Sequence, residues 1–89
     1  MKDFFELEVC IESLADDNGT LIKEDRIEWA KHIKEESQTL YNIIADGNEI
    51  DAETKTTIGL VMAKLIILAK LSDTSLEECL DIAYNKLIN

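Results

Sequence analysis

Residues 58–71, IGLVMAKLIILAKL, constrain the fold more than any other stretch of this chain. Only Lys64 and Lys70 are charged in it. Wound at about 100° per residue, its apolar side chains point nearly all round the axis. Such a helix needs neighbours on several sides. It is also too short for a bilayer core, which takes about 20 apolar residues, and lysines interrupt it. The expectation is a central, buried helix and no membrane anchor.

Local punctuation divides the rest of the chain into three further helices. The first is expected over 3–15, with Phe4, Leu7, Ile11 and Leu14 on one apolar face, and DDNG (16–19) ends it with Gly19 as a left-handed cap. The second is expected over 21–45 and stops at DGN (46–48), where Gly47 fits the same role. The third, which contains the apolar stretch, is expected over 51–71, with Asp51 as N-cap and Glu53 in the first turn. The fourth is expected over 76–88, opened by the capping box Ser75/Glu78, with Leu76, Leu80, Ala83 and Leu87 on a narrow apolar face. No strand signal competes, so the fold class is all-α, a single four-helix domain over residues 1–89. With 46% apolar residues and five aromatic side chains to house, the apolar content is generous for 89 residues. A homodimer that shares the core is therefore expected.

The net charge of −10 is unevenly spread: −5 over residues 1–19, −2 over 20–48, 0 over 49–72 and −3 over 73–89. Direct binding to a phosphate backbone needs basic patches, so no nucleic-acid partner is expected. The acids of the first helix, Glu6, Glu8, Glu12, Asp16 and Asp17, are a candidate face for a basic protein. Cys10 and Cys79 stand among apolar residues without a CxxC spacing, and are expected to be buried and reduced. The opening MKDFFELE is acidic and has no apolar h-region, so a cytoplasmic location is expected.

In the second helix, Trp29, Ile33, Leu40 and Ile43 form one apolar stripe, and Glu36 falls in its middle. A carboxylate there either sits where the stripe meets solvent or takes a cation. One source is a metal ion: Glu35 and Glu36 are adjacent, and hard cations such as Mg²⁺ take carboxylate oxygens. The other is a lysine. Lys64 lies seven residues after Thr57 and four after Leu60, on the same face of the third helix, and would compensate Glu36 if that face opposes it. His32 is read as a partly exposed helical residue. Trp29 and Tyr41 are candidates for stacking on a nucleobase, and Trp29, Glu36 and Lys64 for a nucleotide pocket.

Residues 57–87, TIGLVMAKLIILAKLSDTSLEECLDIAYNKL, carry a family resemblance. Leu68-Ala69, Leu76-Glu77-Glu78 and Asn85-Lys86 stand at the separations found in the MazG-like all-α nucleoside triphosphate pyrophosphohydrolases. KEESQTL (34–40) falls where that family has E-E-x-x-E-L. The resemblance covers roughly residues 33–87, and LEECLDIAYNK looks most like the compact versions carried by bacteriophages. It implies a helical bundle in which carboxylates from two helices hold Mg²⁺ and release pyrophosphate from a nucleoside triphosphate. Glu35 and Glu36 match the first two glutamates of the motif. Thr39 replaces the third, Thr57 replaces the glutamate of the E-x-x-D pair on the third helix, and Leu60 replaces its aspartate. Three of the five acidic positions are thus not acidic.

A divalent cation between helices needs ligands from both sides. The expected function is therefore a catalytically degenerate, phage-type regulator or inhibitor that engages a host protein and needs no cofactor. The alternatives are a slow Mg²⁺-dependent pyrophosphohydrolase using Glu35 and Glu36 with Glu53 as substitute ligand, and a nucleotide-binding protein that does not hydrolyse.

Overall fold

The computed structural model describes residues 1–19 and 25–89. Four helices are present among these residues: α1 (Phe4–Asp17), α2 (Arg26–Ala45), α3 (Ala52–Leu71) and α4 (Leu76–Leu87). The described residues contain no strand, and none of their helices is long and apolar enough to cross a membrane. The expected start of the second helix at 21 lies outside the described residues.

The helix ends follow from local chemistry. Asp3 accepts the N–H of Glu6 at 2.8 Å, Asp51 that of Thr54 at 2.8 Å, and Ser75 that of Glu78 at 3.1 Å. Each N-cap satisfies one of the backbone donors that a helix start leaves open. Only half of the expected capping box forms, because the Glu78 carboxylate takes the Thr74 hydroxyl at 2.8 Å. At the end of α2, Gly47 adopts φ +78°, its N–H reaches Ile44 O at 3.0 Å, and the Asn48 N–H reaches Ile43 O at 3.3 Å. This is a Schellman closure, and the left-handed residue it requires is cheapest as glycine. The end of α3 uses the same pair of bonds with Asp73 at φ 61°.

Helix α3 is central. Ile66, Ile67, Ala69 and Leu71 are buried in its second half, where α1 and α2 both reach it. Ala15 of α1 joins Ile67 and Leu71, with Ile11 and Trp29 packed around them. Burying side chains such as Ile67 and Leu71 contributes about 1.5–3 kcal/mol each. On α2 the partly shielded residues are Trp29, Ile33, Glu36, Leu40 and Ile43, the stripe anticipated from spacing. Helix α4 touches α3 and has no buried residue.

Two expectations are corrected. Helix α1 turns Glu8 and Ala15 inward with Ile11, while Leu7 and Leu14 are 43% and 61% exposed. The inward face packs Ile11 and Ala15 on the core, and its carboxylate has a partner, as described below. Cys10 and Cys79 are both exposed and unpaired. They lie off the inward faces of α1 and α4, and apolar neighbours in sequence do not bury a helical residue that points outward.

Candidate functional site

Glu36 and Lys64 face each other across the α2–α3 contact. Lys64 Nζ donates to Glu36 Oε1 in an ion pair that spans 28 residues. The side chains retain 25% and 21% of their exposure, respectively, so the pair is shielded without being sealed. The second oxygen, Glu36 Oε2, is buried and has no hydrogen-bond partner among the described residues. A half-buried carboxylate loses hydration that only a cation or donors can replace. The ammonium supplies this from α3, where the pyrophosphohydrolase resemblance would place acids.

The other positions of the carboxylate motif are occupied differently. Thr39 turns its hydroxyl back to Glu35 O at 3.2 Å, and Thr57 turns its hydroxyl back to Glu53 O at 3.1 Å. Both satisfy their own helix and project no charge. Leu60 is 48% exposed. Glu35 is exposed and does not converge with Glu36 on a common partner among the described residues. Glu53, the candidate substitute ligand, lies eleven residues before Lys64, about 16 Å along the helix axis. It lines a hollow at the far end of the α2–α3 pair with Ile43, Asn48, Glu49, Asp51 and Thr54. The structure thus brings Glu36 to Lys64 and not to Glu53. Among the described residues no three His, Cys, Asp or Glu side chains are grouped to hold a metal ion.

Of the candidate nucleotide-pocket residues, Glu36 and Lys64 meet and Trp29 stands apart. Trp29 lies two turns, about 10.5 Å, before Glu36 on α2 and packs on the cluster of Ala15, Ile67 and Leu71. Its outer edge lines a hollow of about 300 Å³ with Asp25, Glu28 and His32, and the Trp29 and His32 rings meet edge-on at 6.4 Å. Two carboxylates at this hollow oppose a triphosphate. Tyr41 is 66% exposed on α2 and takes no part in it.

The acidic face of α1 also divides. Glu6, Asp16 and Asp17 are exposed and Glu12 is partly shielded. Glu8 is only 4% exposed, so it is not part of an outer surface. Its Oε2 accepts the N–H of Leu76, the first residue of α4, at 3.1 Å. An anionic acceptor at a helix N-terminus meets both an open donor and the positive end of the helix dipole. Sequence reasoning missed this role. The available signal was the i, i+3, i+7 relation of Glu8 to Ile11 and Ala15, which places it on their face.

Comparison with protein-family models, with curated proteins and with solved structures finds no match for this chain. The fold and the site define an all-helical protein whose one interhelical charge pair joins α2 to α3 among the described residues.

Proposed function

We propose that this chain is a MazG-like helical bundle, completed by homodimerisation, that acts by binding and not by pyrophosphohydrolysis. In this reading it is a phage- or mobile-element-type regulator or inhibitor whose acidic surface engages a basic host protein. The observation that carries the proposal is the Lys64–Glu36 ion pair. The ammonium that meets Glu36 comes from α3, one turn beyond Leu60 and two beyond Thr57, the positions from which a second helix would offer carboxylates to Mg²⁺, and a fixed cationic side chain repels a divalent ion. Activation of water by a Lewis acid requires that ion to be held in place.

The outer acids of α1 support the binding half of the proposal. Asp16 and Asp17 close the helix, and its last turn carries no basic residue. Acids at a helix C-terminus oppose its dipole by about 0.3–1 kcal/mol each.

The test is pyrophosphate release from a panel of canonical and modified nucleoside triphosphates with Mg²⁺ or Mn²⁺, with Glu36→Gln beside the wild type. No turnover from folded, helical protein is the expected result. Turnover that disappears in Glu36→Gln would overturn the proposal. Thermal stabilisation by nucleotide without turnover would favour a nucleotide-binding protein instead. Capture of a basic partner that releases with rising salt is expected from a host lysate.

A further inference from the structure

We propose that the hollow beside Trp29 is a binding site for an organic cation, the guanidinium group of an arginine side chain. The inference rests on the function proposed above only for the source of that arginine, a basic protein partner. The hollow itself is argued from its own residues.

Asp25, Glu28, Trp29 and His32 line it, from the N-cap and the first two turns of α2. Among the described residues no lysine or arginine lines it. Its two carboxylates are not spent on the protein. In α1, α3 and α4 the N-cap side chain accepts a backbone N–H of its own first turn. Asp25 is the N-cap of α2, yet its φ of −86° and ψ of 3° lie outside the extended region that capping uses, and its side chain makes no such bond. Among the described residues neither Asp25 nor Glu28 has a hydrogen-bond or ion-pair partner for its carboxylate.

Acids at a helix start also suit its dipole. What makes this hollow a cation site is the aromatic wall beside them. Trp29 is partly shielded and packs on the cluster of Ala15, Ile67 and Leu71. The His32 ring meets it edge-on, with the planes at 74°. A ring so held needs little further ordering when a ligand arrives. An indole attracts a cation more strongly than any other side-chain ring does, and the neighbouring carboxylates add to that attraction.

Shape selects the guanidinium. It is flat, weakly hydrated and stacks on aromatic rings, and its five N–H donors can serve two carboxylates and the acceptor nitrogen of a neutral imidazole together. An ammonium is a compact, strongly hydrated point charge and gains less from the ring. The hollow, at about 300 Å³, stands at the small end of ligand sites, which suits the end of one side chain.

The chain has one tryptophan, so the emission of Trp29 reports on the hollow directly. The wild type is titrated with N-acetyl-arginine methylamide at constant ionic strength, beside the lysine and citrulline analogues. Citrulline keeps the shape of arginine and lacks its charge. A saturable change with arginine is expected, a weaker one with lysine and none with citrulline. Asp25→Asn/Glu28→Gln, checked for helicity, should weaken the arginine response at least ~10-fold. Should that variant unfold, the comparison of the three probes on the wild type decides. No saturable response to arginine would overturn the site. An equal response to lysine would also overturn it, because net charge alone would then explain the binding. Silence toward arginine beside salt-sensitive capture of a basic partner would overturn the hollow and leave the partner reading standing. Saturable arginine binding without any such partner would do the reverse.

Discussion

The Glu8 carboxylate of α1 accepts the backbone N–H of Leu76 at the start of α4, at 3.1 Å, across 68 residues of chain. With Glu8 only 4% exposed, this bond ties the first helix to the last at a place that water scarcely reaches. Ser75 caps the same helix through the N–H of Glu78, so two of the open donors of α4 are met by different parts of the chain. Glu8→Ala should destabilise the protein by about 1–3 kcal/mol, because a buried donor loses its acceptor. Glu8→Gln keeps an acceptor and gives up the charge, and should cost about 1 kcal/mol or less. Urea unfolding of the two variants beside the wild type measures both values. Equal stability of Glu8→Ala and wild type would refute the role.

The Lys64–Glu36 pair makes a cycle of variants informative. Lys64→Met leaves a half-buried carboxylate without its cation and should cost about 1–3 kcal/mol. Glu36→Leu in the same chain removes the stranded charge. The double variant Lys64→Met/Glu36→Leu should then recover much of that loss, since an apolar pair of similar volume suits this stripe. Denaturant melts of the three variants test the order. Additive losses would mean that the two side chains act independently.

Asp51 gives a pH dependence whose sign follows from its bonds. The backbone N–H of Thr54, then its hydroxyl, hold the carboxyl below its usual value of 3.8, both at 2.8 Å on Oδ1. The charged form is favoured in the folded state. Its contribution is complete above the unfolded value and is lost as pH falls through the folded one. The stability advantage of wild type over Asp51→Ala should be level above about pH 5 and shrink as the solution is acidified below about pH 4. Parallel stability curves for the two proteins down to low pH would contradict this.

Cys10 and Cys79 should both react with a thiol-disulfide reagent in the native protein, without denaturant. The expected count is two thiols per chain, released on the timescale of exposed groups. Delay of either thiol until unfolding would place it in the interior.

The helix ends, the α2 stripe and the odd placement of Glu36 were all legible in the residues. Caps such as Asp51 and Ser75 and left-handed glycines such as Gly19 and Gly47 work within a few residues of themselves, so local sequence determines them. Spacing along one helix likewise determines that Trp29, Ile33, Glu36, Leu40 and Ile43 look the same way. The compensation of Glu36 by Lys64 was readable because a carboxylate on such a stripe has few acceptable surroundings. What local rules do not contain is which neighbour a face meets. Glu6 and Glu8 are the same residue two positions apart, yet Glu6 is exposed and Glu8 is sealed against α4. The exposure of both cysteines and the distance of Glu53 from Glu36 were likewise decided in three dimensions. Each depends on how far along α3 the other helices come to rest, and that register is set by the summed packing of whole faces.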